Sequence, residues 1–454
     1  MMAILRKIKQ TLVAVSVLLS LLTKSSGLVG VRSDIAQTSP HMFFVAAVPL
    51  TLRMQHSVHS NPFSPQPAEP REEKNAIIVG ASVGGLSAAL ALQRAGFDVQ
   101  VFEKAKKLRP AGAAFGIFEN GRAALQAISP FALERLDQTC VDQVKLTVRD
   151  MLNKQIQVTK SPTSQLVSFW KLQESLLKGL PPTCLHLDHL FQGFEIDESA
   201  GQIRARFHRA NGETTAEADL LIGADGINSA VRKAMIGNVA QRYHGKIIYR
   251  APVEISRVGP RLMPETGEAV RWVADDPAHL LTWQQIAPDW LAFTGTRKSA
   301  TGDVPMDSIS QRRATKEAFA QFPGTVQEIM KLTEPEAIYV APVKDLDFCE
   351  TWTDGRVAIL GDAAHAMTPA LGMGANMALE DAAELLHFLG DRSMPLDRAL
   401  SRWEVSRRTR VQRVHARSRQ RTEENNKSNF MLNNPSADLM DFMAEVRRYR
   451  PPSG

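Results

Sequence analysis

Apolar runs followed by glycine-rich turns occur three times along the chain. Residues 76–104, AIIVGASVGGLSAALALQRAGFDVQVFEK, read as an apolar strand, a turn, an Ala/Leu-rich helix and a second strand. Residues 219–235, DLLIGADGINSAVRKAM, repeat the strand, turn and helix, as do residues 357–360 and the stretch GDAAHAMTPALGMGAN that follows them. Continuous apolar strands that alternate with helices predict an α/β fold with a parallel sheet. The turns then lie at the carboxyl edge of the sheet, where such folds bind ligands.

Between the second and third units the hydrophobic period changes from helical to alternating. Alternation predicts strands of an antiparallel sheet in four segments, 246–255, 269–275, 279–287 and 290–297. Residues 144–150 and 155–160 read as an earlier hairpin. We expect the sheet to form a wall beside the ligand, with four aromatic residues as candidate lining, Tyr249, Trp272, Trp283 and Phe293. For any single one of these aromatics, core packing is the simpler interpretation.

The positive charge of the chain is concentrated at its start. The net charge is +6, and residues 1–68 hold six Lys/Arg and one acid, so the remainder is almost neutral. This distribution removes the main support for a nucleic-acid-binding function. Three basic residues precede the apolar run 11–22, as in a secretory signal, and residues 28–68 are rich in Ser, Pro and His, as in a transit peptide. This combination resembles a two-part plastid presequence, and the alternative is the secretory pathway or the ER.

The first turn carries a modified dinucleotide fingerprint. The pattern G-x-G-x-x-G falls on Gly80, Ser82 and Gly85, next to Gly84, with Ser at the second glycine position. We expect Ser82 to keep a negative φ and to offer a hydroxyl donor. Glu103 ends the second strand, where its carboxylate would accept hydrogen bonds from adenosine ribose hydroxyls and repel a 2′-phosphate. FAD or NAD therefore fits better than NADP.

The other two turns also combine an acid with glycines. In the second, Asp225 and Gly226 follow a strand, and Asn228 or Ser229 can cap the next helix. In the third, Gly361 precedes Asp362, which can accept a hydrogen bond from a ribityl or ribose hydroxyl.

The rest of the third turn is suited to a flat ring. Pro369 stiffens the turn, and Gly372 and Gly374 leave room for a ring against the backbone. A helix from about Ala375 and Asn376 would direct its positive end at the ligand. The sequence therefore predicts a flavin site here.

Three segments in this order resemble the class A FAD-dependent monooxygenases of the aromatic hydroxylase type. They are GASVGG with Glu103, GADGINSAVR, and GDAAHAMTPALGMGANMALEDA. The resemblance spans about residues 74–415. It implies FAD-binding roles for Asp225 and Asp362 and for the glycines of the motifs. It adds Arg109 and Arg122 as FAD-contacting or structural arginines, Lys104 beside Glu103, and Lys171 where the family commonly has Arg. His365 is expected to form hydrogen bonds within the loop.

The resemblance also implies a domain organisation. The fold expected is α/β, a Rossmann-like FAD-binding domain with an inserted antiparallel-sheet substrate domain. Its segments are a presequence (1–72), three parts of the FAD-binding domain (73–150, 216–236 and 341–394), a mixed FAD and substrate region (151–215), the substrate-domain sheet (237–340) and C-terminal helices (395–454). Residues 407–421 read most simply as a solvated helix face.

The implied activity is hydroxylation or epoxidation of an electron-rich aromatic or alkene small molecule. NADH or NADPH reduces FAD, and O₂ reacts at flavin C4a to give the hydroperoxide that transfers oxygen. Zeaxanthin epoxidases share the motifs, and membrane contact is expected only for a lipid or carotenoid substrate. Two alternatives remain at this point, a non-oxygenating reductase resembling the geranylgeranyl reductases and a nucleotide-binding regulatory protein. No nucleic-acid partner, metal or catalytic acid or base is predicted.

Overall fold

The computed structural model describes residues 74–452, apart from Arg109, residues 111–113, Glu198, Pro277, Arg392 and residues 428–435. The side chains of residues 161–164 and Lys427 are also outside the description. The predicted presequence, residues 1–72, therefore lies outside the described residues, as does Arg109.

The strands of the described residues are β1 (Lys74–Val79), β2 (Phe97–Phe102), β3 (Ala114–Ile117), β4 (Val141–Arg149), β5 (Gln155–Ser168), β6 (Leu185–His186), β7 (Leu190–Asp197), β8 (Gln202–Arg209), β9 (Gly212–Ala218), β10 (Leu220–Gly223), β11 (Gln241–Glu254), β12 (Glu268–Val273), β13 (Leu280–Ala287), β14 (Trp290–Lys298), β15 (Tyr339–Leu346), β16 (Thr353–Asp354) and β17 (Val357–Ile359). The helices are α1 (Val83–Arg94), α2 (Glu119–Ile128), α3 (Pro130–Asp137), α4 (Phe169–Leu177), α5 (Ala230–Ile236), α6 (Ser308–Ala318), α7 (Gly324–Leu332), α8 (Asp362–His365), α9 (Gly374–Gly390), α10 (Leu396–Lys427) and α11 (Ala437–Arg447).

The three apolar runs form adjacent strands of one sheet, as the sequence predicts. Its order is β16-β17-β10-β1-β2-β6, and all neighbours except β16 and β17 are parallel. Strand β10 is buried throughout and β1 at its last four residues. Helix α1 packs on this sheet, and so does a three-stranded antiparallel sheet of order β7-β8-β9, where Phe207 of β8 stacks on Phe102 of β2. Helix α1 packs closely against α9, with a buried Ala- and Gly-rich face.

The alternating segments form an eight-stranded sheet of order β15-β11-β14-β13-β12-β4-β5-β3. The predicted hairpin is confirmed as β4 and β5, which pair antiparallel. The four candidate aromatics, however, do not line a ligand site. They are buried in the core between one face of this sheet and α6 and α7, together with Phe319 and Phe322. The simpler interpretation, core packing, is the one that the structure confirms.

Helix α10 corrects the prediction of a solvated face at residues 407–421. Arg407 is fully buried, and so are Val411, Val414 and Ser418. The arginine is inside because α9 presents three buried acids to it, Glu380, Asp381 and Glu384. Within the described part of the chain, we find no helix with the length and apolar character needed to cross a membrane.

Candidate FAD-binding site

Three loops meet at the carboxyl ends of the neighbouring strands β1, β10 and β17. We call them the first loop (residues 80–85, which includes the start of α1), the second loop (residues 224–229) and the third loop (residues 361–376). Backbone hydrogen bonds continue the sheet into them, from Ala224 N to Val79 O at 2.8 Å and from Leu360 N to Gly223 O at 3.0 Å. The structure therefore brings together the three sequence segments that were predicted to share a ligand.

The first loop is closed by glycines in contact with the second. Gly80 has φ +105°, and a Cβ there would lie 2.6 Å from Ala224 O. A Cβ on Gly85 would overlap the carbonyl oxygen of Gly80, and one on Gly84 would lie 2.9 Å from a side-chain carbon of Leu360. These glycines allow α1 to start directly beneath the loop, so that its free N–H groups face outward.

Ser82 has the predicted backbone conformation but another hydrogen-bond partner. Its φ is −74°, as expected, and its Oγ accepts from Gly85 N as the N-cap of α1. The hydroxyl donates to Ala224 O at 3.0 Å. A hydroxyl has one hydrogen to donate, so the donors left for a phosphate at this turn are backbone N–H groups.

Glu103 at the end of β2 braces the first loop. One carboxylate oxygen accepts from Ala81 N and the other from Ala105 N, each at 2.9 Å. Each oxygen keeps a second lone pair for a ribose hydroxyl. The buried amide of Gln173, which the sequence analysis did not single out, donates to Ala81 O at 2.6 Å. The neighbouring Lys104 is exposed.

Asp225 in the second loop organises the start of α5. Its carboxylate accepts from Ser229 Oγ at 2.5 Å and from Ala230 N at 2.6 Å. Ser229 is the N-cap and accepts from Arg232 N, so one of the two predicted caps is confirmed. Gly226 has φ +83°, which permits the tight turn. Asp225 thus shapes the second loop in addition to any ligand contact.

Arg232 links the second loop to the third. Its guanidinium is buried and donates to Ile227 O and to Ala363 O, both at 2.7 Å. Burial lowers the pKa of this arginine. The nearby Cys349 and Asp225 raise it, but by less. Arg232 lies in the first turn of α5, and the sequence gives no sign of this contact because Ala363 lies 131 residues away.

Asp362 is an exposed residue at the start of the third loop. Its carboxylate is accessible and accepts no hydrogen bond from any residue that the structure describes. Protein surrounds the group on most sides, and this desolvation raises the pKa of Asp362, although His365 opposes the effect. A hydroxyl donor from a ligand would satisfy the carboxylate in the way that the sequence predicts.

The third loop opens a space in front of α9. Pro369 begins a short 3₁₀ turn that ends at Gly372, whose φ is +66°. A Cβ on Gly374 would lie 4.0 Å from Asp362 Oδ1. Helix α9 begins at Gly374, so its first N–H groups, including that of the partly exposed Ala375, have no intrahelical partner. These N–H groups are suited to stabilise negative charge on a ring beside them.

Asn376 holds the third loop against β3. Its Oδ1 accepts from Phe118 N at 3.0 Å, and its Nδ2 donates to Gly116 O at 2.9 Å and to Gly372 O at 3.1 Å. The amide is fully buried and these contacts use both its oxygen and its nitrogen. Asn376 therefore sets the shape of the loop.

The remaining predicted cations make contacts within the protein. Arg122 forms a two-pronged pair with Asp137, at 2.5 and 3.0 Å, and donates to Gln165 at 2.8 Å. Lys171 Nζ lies 3.9 Å from Asp289 Oδ2, at the tip of the β13–β14 hairpin. Of the two functions proposed for Arg122, the geometry fits the structural one.

A buried cluster of charged residues on α9 and α10 is bonded to the start of the third loop. Asp381 accepts from Gly361 N at 3.0 Å and from His365 Nε2 at 2.6 Å, and its other oxygen accepts from Arg407 Nε at 2.9 Å. His365 forms a side-chain hydrogen bond, as expected, but its partner Asp381 lies on α9 and not within the loop. Arg407 also donates to Glu380 and Glu384.

These features fit FAD. The glycines of the first loop leave a path for a pyrophosphate, Glu103 lies at the ribose position, and Asp362 is an unpaired acceptor beside the start of α9. A sequence profile described as an FAD binding domain matches residues 73–418, most of the chain. The chain belongs to the class A FAD-dependent monooxygenases. This class A monooxygenase is an oxidoreductase that binds FAD, and the reductant of the class is NADH or NADPH.

Characterised relatives include aromatic hydroxylases and epoxidases. A 3-amino-4-hydroxybenzoate 2-monooxygenase of Streptomyces platensis is 31% identical over 357 residues, which cover 76% of this chain and 87% of that protein. A chloroplastic zeaxanthin epoxidase of Spinacia oleracea is 30% identical over 381 residues, which cover 77% of this chain but only 54% of the epoxidase. Klebsiella pneumoniae HpxO, solved with FAD and uric acid, superposes with a TM-score of 0.66 at 23% identity, covering 83% of this chain and 93% of HpxO. That likeness establishes the fold.

Proposed function

We propose that this monooxygenase inserts one oxygen atom from O₂ into an electron-rich aromatic small molecule. The observation that carries the proposal is Asp362, an unpaired acceptor placed beside the start of α9 in a loop held open by Asn376. This arrangement supports a ring that gains negative charge when it is reduced. Relatives that hydroxylate aromatic compounds, such as the aminohydroxybenzoate monooxygenase, support the substrate class.

We assign the parts of the site as follows. The first loop and the start of α1 bind the pyrophosphate. Glu103 binds the adenosine ribose, and Asp362 binds a ribityl or ribose hydroxyl. The start of α9 lies against the flavin ring. When bound, FAD supplies the transfer of electrons and the activation of O₂. The protein binds, orients and shields the reactants. The residues that we propose from the sequence motifs as FAD-binding are Gly80, Ser82, Gly84, Gly85, Glu103, Lys104, Arg109, Lys171, Asp225, Gly226, Gly361, Asp362, Pro369, Gly372, Gly374, Ala375 and Asn376. For Arg122, which donates to Asp137 and Gln165, we propose the structural role.

An apolar cluster on the eight-stranded sheet supports the exclusion of water. Ile286 of β13 and Ala292 of β14 pack with Trp170 of α4 and with Ala114 of β3, an edge strand of the same sheet. Ala114 is on β3, the strand whose Gly116 is bonded to Asn376. An apolar wall near the third loop limits the access of water to the reacting groups. We propose 237–340 as the core of the substrate domain on this basis.

The second candidate function is epoxidation of a carotenoid. The similarity to the spinach zeaxanthin epoxidase favours it, but the chain spans about half of that protein's length. We therefore place aromatic hydroxylation first and keep the polyene in the test.

The test measures O₂ uptake and NADH or NADPH oxidation by the FAD-loaded protein. The panel consists of phenols, hydroxy- and aminobenzoates, N-heteroaromatic compounds and a carotenoid. We expect an aromatic compound to stimulate both rates and to gain one ¹⁸O atom from ¹⁸O₂. Nicotinamide oxidation that proceeds with a reducible alkene and without O₂ would instead establish a reductase.

We propose a plastid address for the enzyme. The basic start, the apolar run and the acid-poor stretch of residues 1–72 support it, and chloroplastic relatives exist at about 30% identity. A fluorescent protein that carries residues 1–72 should enter the plastid of an alga with a complex plastid. Secretion or retention in the ER would support the alternative.

A further inference from the structure

Helix α11 and the residues that follow it lie beyond the part of the chain that the FAD binding domain profile matches, which ends at residue 418. We call residues 437–452 the α11 segment. Three of its side chains, Leu439, Met443 and Val446, are buried in the core that also contains the FAD-binding strands. One face of the segment is therefore part of that core, although the segment contributes no residue to the three loops.

An arginine of the α11 segment lies on the aromatic ring that precedes α2. The guanidinium carbon of Arg447 is 3.8 Å from the centroid of the Phe118 ring. Its Nε is shielded from solvent, and the side chain forms no hydrogen bond or ion pair with any residue that the structure describes. Burial lowers the pKa of Arg447, and Glu119 raises it by less. The ring is therefore the main partner that the described chain offers this cation.

Phe118 joins Arg447 to the third loop. The backbone N–H of Phe118 donates to Asn376 Oδ1 at 3.0 Å, one of the contacts that hold the loop against β3. The ring of Phe118 also lies beside Gly372, where an added Cβ would be 3.7 Å from two ring carbons. The same residue thus contacts the α11 segment and the last residue of the third loop.

A second connection runs through the acids of α9. Tyr449 donates its hydroxyl to Glu384, which also accepts from Arg407 at 3.1 Å. Arg407 in turn donates to Asp381, and Asp381 accepts from Gly361 N, the first residue of the third loop. The α11 segment is therefore connected to both ends of this loop.

A loop that is fixed at both ends loses less conformational freedom when a ligand binds to it. The α11 segment fixes the third loop from one side, and FAD would fix the same loop by binding to it. Each event therefore lowers the ordering cost of the other. Such a coupling is reciprocal, so the factor by which the segment tightens FAD binding equals the factor by which FAD tightens the docking of the segment.

We propose that the α11 segment is a strap whose docking and FAD binding stabilise each other, with Arg447 as the positioning residue. Arg447 acts through Phe118 and not by contact with the coenzyme. The inference goes beyond the proposed function, because it concerns the binding of FAD and holds for any substrate.

The first test is hydrogen exchange of the parent chain with and without saturating FAD. We expect the amides of α11 to exchange about 3- to 10-fold more slowly with FAD, within the range that a cation–π contact can supply. The amides of α7 are the reference, because α7 packs in the separate aromatic core of the eight-stranded sheet. No slowing in α11, or equal slowing in α11 and α7, overturns the proposal. This measurement decides the matter even if a variant does not fold.

The second test removes the cation. Arg447→Gln should raise the Kd for FAD about 3- to 10-fold and should reduce the protection of α11 by FAD. Arg413→Gln is the matched control, because Arg413 also joins α10 to the segment, by a pair with Glu445 at 2.9 Å, but has no described contact with Phe118. A lower unfolding temperature with an unchanged Kd identifies Arg447 as merely structural and overturns the proposal. An equal rise of the Kd in both variants also overturns it.

The third test examines the route through the ring. Phe118→Leu keeps an apolar side chain and the backbone N–H that donates to Asn376. If Arg447 acts through the ring, adding Arg447→Gln to Phe118→Leu should raise the Kd for FAD by less than about twofold, because residues in contact are not additive. A further rise as large as that in the parent chain would show that Arg447 acts independently of Phe118, and it would overturn the proposal.

Discussion

Asp381 Oδ2 lies 2.6 Å from His365 Nε2, in the wholly buried space between α9 and the start of the third loop. The same oxygen accepts from Gly361 N, so one carboxylate fixes both the turn before Asp362 and the histidine after it. The position of the candidate FAD-binding acid therefore depends on a carboxylate that is itself wholly buried.

Replacement of Asp381 should reveal this dependence through pH. Burial alone would raise the pKa of Asp381, but His365 and Arg407 outweigh it and lower the pKa to about 2. An unfolded Asp titrates near 3.9, so the group contributes roughly 2–3 kcal/mol above that pH, and the contribution is lost as the pH falls toward 2. Urea unfolding should show a stability gap between the parent and Asp381→Asn at pH 6 that narrows below pH 4. A gap independent of pH contradicts this account.

Asp362→Ala should lose FAD during purification. The substitution removes a carboxylate that accepts from no described residue, and a hydrogen bond to a charged group is worth about 1.5–3 kcal/mol. The ratio of flavin to protein absorbance measures the loss. Asp354→Ala, at an exposed position on β16, is the control and should keep its flavin. Full yellow colour in Asp362→Ala would show that this aspartate does not bind FAD.

Gly85→Ala should destabilise the first loop. The added methyl would overlap the carbonyl oxygen of Gly80, and overpacking of this kind costs about 1–3 kcal/mol. We expect a lower unfolding temperature together with weaker FAD binding. Gly324→Ala, at the start of α7 with open space around the new methyl, should be neutral or slightly stabilising. Equal effects of the two substitutions would refute close packing as the reason for Gly85.

Asn376→Asp should weaken FAD binding without any change in size. The new oxygen would face the carbonyl oxygens of Gly116 and Gly372, which now accept from the amide. Repulsion among the three oxygens should open the third loop and raise the Kd for FAD. Asn228→Asp, on the exposed side of the second loop, keeps its acceptor for Gln241 and serves as the control. An unchanged Kd in Asn376→Asp argues against a loop-shaping role.

The sequence was sufficient for the parallel strands and their loops. An apolar run that ends in glycine and an acid specifies a strand end locally, and the three loops meet because neighbouring parallel strands finish at one edge. The paired segments of the antiparallel sheet were also predicted, because alternation marks them individually.

The partners of single side chains could not be predicted in the same way. Alternation shows that Tyr249 and Trp283 share a face, but not whether helices or a ligand cover that face. Arg407 lies in a run of basic residues. It is buried because the facing helix, α9, supplies acids that pair with it. Contacts of this kind join residues far apart in sequence, and residue type alone does not identify them.

The carboxylate of Asp381 joins the start of the third loop to helix α10, because it accepts from Gly361 N and from Arg407 Nε. Arg407 belongs to none of the three loops. A substitution in α10 can therefore alter how firmly the coenzyme is retained while every group that touches the coenzyme keeps its identity.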